Sequence, residues 1–343
     1  MNDSHHSTAR FDGAPPEDLL RQAAGYLRAY DLPTDLGETA LSATFSEAWV
    51  KLELDGAGFS LDIRAGNSAQ LHQAREGVLV VLDQISPEAC AALEWQGEVA
   101  RNVRPPNFHL ATVLDVRRVS ANFLRVAMRC EGICNLLSGG MHFSLLLAPG
   151  PVPRWPEVND KGRTVWPDGA DKLHRAAYTF VELNPAEGWF TFDVFEHEGG
   201  QTTGWAKAAK PGDTAGIMGP GGGDFPQANH MVMGGDETAL PAIRRILEHA
   251  PTERRGEVFV ETADPADRCD LPLPEGMRLT WLRRGEDGPL LEHMLAATLP
   301  GPEESRFVWL AAEAGIVRAA RRHFRDEAGL GREEMYLSAY WTA

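Results

Sequence analysis

The stretch HMVMGGDETALPAI, residues 230–243, decides how the chain is read. An apolar run enters two glycines, then an acid and a hydroxyl residue, then apolar residues at helical spacing. This is the pattern of a buried strand, a tight turn and a helix. Gly234 and Gly235 let the backbone turn closely, Asp236 stands where a cap belongs, and Thr238 lies near the helix start. Such a helix start attracts a phosphate or a nicotinamide ribose. By itself the segment reads more readily as an ordinary strand-to-helix turn, because it is not a full dinucleotide fingerprint. Downstream the alternation continues: GEVFVETA, RLTWLRRG and RFVWLAAEAG as strands, TALPAIRRILEHA and IVRAARRHFRDEAG as helices, with Gly329 closing the last. Strands alternating with helices imply a parallel sheet.

Upstream the period changes to two. HLATVLDVRRVSANFLRVAMRC carries two alternating runs, and MHFSLLLAPG, RAAYTFVEL and GWFTFDVFEH carry one each. TGWAKAAKPGD reads as a helix stopped by Pro211, TAGIMGPGG as a strand entering a glycine turn, and residues 149–173 as a long loop rich in Pro, Gly and charge. Many short strands with turns between them predict an antiparallel barrel. Further upstream, PPEDLLRQAAGYLRAY is a helix, WVKLELDGAGFSLDIRA a hairpin, and SPEACAALEW a short helix with Ser86 as cap and Pro87 at its first position. The expected division is therefore a small α+β domain at 1–104, a β-barrel at 105–226 and an α/β nucleotide-binding-like domain at 227–343. Open α/β sheets bind ligands at the carboxyl ends of their strands.

The totals limit the function. The chain has 343 residues, 43% hydrophobic and 24% charged, with a formal net charge of -16. An acidic protein of this kind argues against nucleic acid and anionic membrane as general partners. No stretch is apolar and long enough to span a bilayer, and MNDSHHSTARF lacks the features of a secretory signal. Four cysteines, Cys90, Cys130, Cys134 and Cys269, complete no zinc pattern, so a cytoplasmic protein with reduced thiols and no bound metal is expected.

GRTVWPDG, AAYTFV, GWAKAAKPGD, GPGG, GDETALPAI and LSAYWT occur in this order. Together they resemble the siderophore-interacting protein family, part of the ferredoxin–NADP reductase superfamily, from about residue 108 to 343. The N-terminal hundred residues are similar to a small domain of unknown function fused to some of these proteins. The resemblance implies a Greek-key barrel of flavin-reductase type that binds FAD. It also implies an α/β domain that receives NAD(P)H or faces a ferredoxin, with reduction of a ferric siderophore in the cytoplasm. It marks as cofactor-binding Arg175, Tyr178, Thr179, His197, Gly200, Thr202, Thr203 and Trp205 on the barrel side. On the sheet side it marks Gly235, Asp236, Glu237, Thr238, Glu313, Tyr340 and Trp341. It singles out no residue as catalytic.

Five positions depart from the family pattern, among them Ala339 in place of a glycine before Tyr340. At the flavin strand, KLHRAAYTFVELN (172–184), the two arginine places fall on Ala176 and Val181. Arg175 stands one residue away from the first, and a one-residue step points to the other strand face. A family glycine is Ala312, and a terminal arginine is Thr342. These departures leave two other readings open: a flavin-free protein that binds and processes haem with an external donor, and a non-catalytic iron-chelate carrier. His174 beside the altered motif is the candidate histidine, and Arg163, Lys172 and Arg175 are cations for a chelate's carboxylates or haem propionates. RAARRHFRDE offers a basic face to an acidic donor such as a ferredoxin. Each of these charges is also consistent with an ordinary solvated side chain.

Overall fold

The computed structural model describes residues 4–29, 32–45, 47–137, 139–223 and 225–343. The N-terminal region comprises β1 (His5–Phe11), α1 (Leu19–Ala29), β2 (Thr34–Leu36), β3 (Ala40–Phe45), β4 (Ala48–Leu54), β5 (Phe59–Ala65), α2 (Ser68–Ile85), α3 (Pro87–Ala91) and β6 (Glu94–Gly97). Its strands form one antiparallel sheet in the order β2-β3-β4-β5-β1-β6. Phe59, Leu61, Ile63 and Ala65 are buried at every second position of β5, which turns one face toward the helices. Leu19, Leu20, Ala23 and Ala24 of α1 and Leu79 and Leu82 of α2 complete the core. The β4–β5 hairpin forms as read, and Ser86 caps α3 by accepting from the Ala89 amide at 3.3 Å.

The barrel region comprises β7 (Phe108–Arg118), β8 (Phe123–Cys130), β9 (His142–Leu147), the two-residue strands β10 (Glu157–Val158) and β11 (Thr164–Val165), β12 (His174–Asn184), β13 (Trp189–Phe195), α4 (Gln201–Ala208) and β14 (Thr214–Gly221). Six strands close in the order β12-β13-β8-β7-β14-β9. Alternate residues meet in an aromatic core: Phe143 packs on Phe180 at 4.5 Å and on Phe192 at 5.2 Å, and Phe180 on Phe190 at 5.3 Å.

The last region comprises β15 (His230–Gly235), α5 (Leu240–Glu248), β16 (Arg255–Thr262), β17 (Gly276–Arg283), α6 (Leu290–Ala296), β18 (Arg306–Glu313), α7 (Ala314–Arg321) and β19 (Met335–Trp341). The sheet is all-parallel in the order β17-β16-β15-β18-β19. Both its faces are covered, and the strands show it. Met231, Met233, Val258, Val260, Trp309 and Ala311 face α5, whereas Val232, Phe259, Val308, Leu310 and Ala312 face α6 and α7. Helix α7 runs on through a π-helical turn at Arg322–Glu327, and Gly329 follows with φ +67°.

The chain separates into two compact units that differ from the three-segment division. One holds the residues up to His109 with Leu146–Arg175 and Gly216–Gly221; the other holds Leu110–Leu145, Ala176–Ala215 and Gly222–Ala343. The long loop belongs to the first unit because α2 fastens it. Arg163 forks onto Asp83, His72 Nε2 meets Thr164 Oγ1 at 3.0 Å, and Gln73 donates to the Pro220 carbonyl at 3.0 Å.

Two predictions follow from packing. Phe190→Ala, at a fully buried ring, is expected to cost about 3–5 kcal/mol in urea denaturation. Burial, then the Arg75 charge, hold His72 down at about 4 from 6.5. The unfolded chain therefore binds a proton that the folded one refuses, and stability falls as pH drops from about 6.5 to about 4. His72→Gln is expected to flatten that part of a stability-against-pH profile.

Candidate functional site

The site is built around the start of α4. After β13 the chain passes His197 and Gly199, whose φ is +74°, and enters the helix at Gly200. A Cβ at Gly200 would stand 2.6 Å from the His197 ring and 2.9 Å from Thr203 Oγ1. A side chain here would have to displace them, and glycine brings none to cap the first amides of the helix. Thr202 and Thr203 are buried behind them. Thr203 Oγ1 accepts from the His197 amide at 3.3 Å. Thr202 shares a hydrogen bond with the Tyr178 hydroxyl, whose phenol is pushed up chiefly by burial. The Tyr178 ring packs on Phe192 at 5.1 Å, with Thr179 buried beside it in β12 and Trp205 half-buried on α4. Uncapped amides, two threonines and a glycine approach suit the pyrophosphate of a dinucleotide cofactor, and Tyr178 suits a flat ring. These residues fit FAD without an arginine.

The two altered positions of β12 look different once placed. Val181 is 3% exposed and sits where the pairing of β12 with β13 is interrupted by a bulge, between Phe180 and Glu182. Its side chain is part of the interior, not a vacant clamp. The bulge lies after Tyr178, so it does not bring Arg175 round to the Tyr178 face. Arg175 instead lies 3.9 Å over the ring of Trp166, and no carboxylate among the described residues pairs with it. Of the three candidate substrate residues, Arg163 is engaged by Asp83 at 3.2 Å and by a second, shorter contact. Lys172 is exposed, and His174 is half-buried, with burial holding its pKa down.

In the parallel-sheet region the glycine pair is explained by packing. A Cβ on Gly234 would strike Met294 Sδ at 2.1 Å, and one on Gly235 would strike the Ala239 Cβ at 2.5 Å. Asp236 caps the turn, accepting from the Thr238 amide at 2.9 Å and hydroxyl at 2.5 Å, and it also takes Trp341 Nε1 at 2.7 Å. Glu237 is buried and accepts from Arg284 at 2.5 Å and from the Ala263 amide at 2.5 Å. Glu313 caps α7 through the Gly315 and Ile316 amides. Tyr340 reaches the barrel, its hydroxyl 2.7 Å from His142 Nε2. Ala312 is fully buried, its methyl among Leu310, Val317 and Leu337 on the core side of β18. The basic face of α7 is largely engaged, with Arg321 on the Leu337 carbonyl, His323 on Glu327 and Arg325 on Asp326.

Three residues outside the expected site hold the arrangement together. Asp267 is buried and accepts from Ser120 Oγ at 2.6 Å and from the Asn122 amide and Nδ2, each at 2.8 Å. His142 anchors Tyr340, and Arg284 joins Glu237 to Glu261, the latter at 2.8 Å. Only Asp267 had a local signal, since Asp264-Pro265 marks a turn, but nothing in the sequence named its partners.

A closed antiparallel barrel is followed by an all-parallel sheet, the architecture that the resemblance implied. Residues 112–224 match the family described as siderophore-interacting FAD-binding domain, and residues 228–343 the family described as siderophore-interacting protein. The ferric vibriobactin reductase ViuB of Vibrio cholerae is 33% identical over 235 residues, which are 65% of this chain and 85% of that protein. The NADPH-dependent ferric-chelate reductase of Escherichia coli is 30% identical over 249 residues, 69% of this chain and 93% of that protein. The crystal structure of the siderophore-interacting protein SipS from Aeromonas hydrophila superposes with a TM-score of 0.58 at 30% identity, covering 69% of this chain and 92% of that one. The chain belongs to the siderophore-interacting protein family. Nothing in these matches supports the haem reading; the barrel's match is to an FAD-binding domain.

Trp341→Phe removes the donor to buried Asp236. The loss is expected to lower stability by about 1.5–3 kcal/mol in urea denaturation, as for a hydrogen bond to a charged group.

Proposed function

We propose that the protein is an FAD-dependent oxidoreductase that passes electrons from NAD(P)H to a ferric siderophore or related chelate and so releases ferrous iron. The observation that carries this reading is the uncapped start of α4 beside Tyr178, within the residues that match an FAD-binding domain. Bound FAD supplies hydride acceptance and single-electron delivery, which no side chain supplies. Ferric iron prefers hard oxygen ligands, and gaining one electron loosens their hold.

In this reading Gly200, Thr202 and Thr203 with the α4 amides hold the pyrophosphate. Tyr178 and Thr179 bed the ring, and His197 and Trp205 border it. Gly235, Thr238, Glu313 and Tyr340 shape the dinucleotide side. Asp236 positions Thr238 and Trp341, and Glu237 acts through Arg284. Lys172 and Arg175 present positive charge to an anionic chelate, with His174 on the same segment, whereas Arg163 fastens the loop. In this reading the reaction runs in the cytoplasm, where NAD(P)H is available. No helix among the described residues is long and apolar enough to cross a membrane.

Two experiments test this. The FAD-loaded chain, given a ferric chelate and NADPH, is expected to produce ferrous iron, read with a ferrous-specific chromogenic chelator. Ferrous iron with reduced ferredoxin alone would move the donor assignment, and none with either donor would overturn the function. Replacing Thr202 and Thr203 together by valine is expected to weaken FAD binding by about tenfold or more, read from flavin fluorescence. Unchanged affinity would remove the start of α4 as the phosphate site.

A further inference from the structure

Helix α2 carries two polar residues one turn apart that face inward, His72 at 3% exposure and Arg75 at 1%. An arginine buried this deeply is ordinarily matched by a carboxylate. Among the described residues Arg75 has no ion pair. Its one hydrogen bond runs from Nη2 to the Gly162 carbonyl at 3.1 Å, and its guanidinium lies 4.5 Å from the Trp95 ring. Its Nε is buried without an acceptor, and so is Nδ1 of His72. The nearby carboxylates are engaged elsewhere: both oxygens of Glu76 accept from the Thr164 amide at 3.3 Å, and Glu98 meets His5 at 2.7 Å. A cavity of about 170 Å³ opens at this point, bounded by Ser68, His72 and Arg75 and by the apolar Leu71, Val99 and Pro106.

We propose that this cavity binds a small monocarboxylate with a flat apolar body, its carboxylate held by Arg75. A planar guanidinium with free N–H donors matches a carboxylate in shape and charge. A buried positive charge without a counterion is costly, and an entering anion relieves that cost. His72 and Ser68 offer further polar contacts, and the apolar wall takes the body of the ligand. A phosphate dianion is disfavoured: Glu98 on the lining opposes any anion, and opposes two charges about twice as strongly as one. The role is independent of the flavin site, and it gives the N-terminal region a ligand.

The test uses the full FAD-loaded chain with benzoate as probe, followed by isothermal titration and by the rise in melting temperature. Saturable binding of one benzoate per chain is expected, weakened about tenfold or more by Arg75→Gln. Because Arg75→Gln can unfold the region, Ala100→Phe, which fills the cavity and leaves Arg75 in place, is measured beside it, with folding checked by circular dichroism. Loss of benzoate binding in a folded Ala100→Phe chain supports the site. Absence of binding to the unaltered chain, full binding by either folded variant, or binding of inorganic phosphate in preference to benzoate would overturn it.

Discussion

One buried carboxylate fixes the barrel to the parallel sheet. Asp267, in the turn after β16, takes three donors from Ser120 and Asn122 at the β7–β8 turn. A carboxylate removed from water must have its oxygens satisfied, so those donors cannot drift away from it without a large penalty. Phe123 and Met141 of the barrel then join Met231 and Trp309 of the sheet and Ile243 of α5 in one apolar core. His142 and Tyr340 tie the last strand to the barrel at 2.7 Å. A reductase that relays electrons between ligands on two folded parts needs them held in constant relation, and these contacts supply that constancy.

The altered flavin strand is better understood as a redistribution of contacts. Arginine at position 181 would place a guanidinium at a position that is 3% exposed, at a bulge in β12, where valine is buried without cost. In the proposed site the phosphates fall to the amides and hydroxyls at the start of α4. A helix start contributes about 0.3–1 kcal/mol toward an anion, up to about 2 when partly buried. That is less than a charge-assisted arginine fork, which favours a more weakly held flavin.

The fold was legible wherever burial follows a simple period. HMVMGGDETALPAI announced β15 and α5, and the two-residue alternation of β7, β8 and β13 announced the barrel. Helix α2 was not read because Gln70, His72 and Arg75 are buried within it and interrupt the apolar stripe. Strand β1 was not read because His5, Ser7 and Thr8 are polar and gain their place only by pairing with β5 and β6. Of the candidate site, the local features were readable: the glycine before α4, the threonines after it and the acid after β15. The long-range partners were not, since Asp236 with Trp341, Glu237 with Arg284 and Arg175 with Trp166 depend on chain crossings that no spacing encodes. Gly235 marks the limit of motif reading, for its lack of a side chain is already demanded by Ala239 and Ile243.

The central claim is that this barrel holds FAD without an arginine clamp on β12. The most direct measurement is the flavin content of the purified chain after incubation with FAD and removal of the excess. The account predicts flavin absorption bands and one FAD per chain recovered on denaturation. A colourless protein that yields no FAD, while remaining folded by circular dichroism, would contradict it.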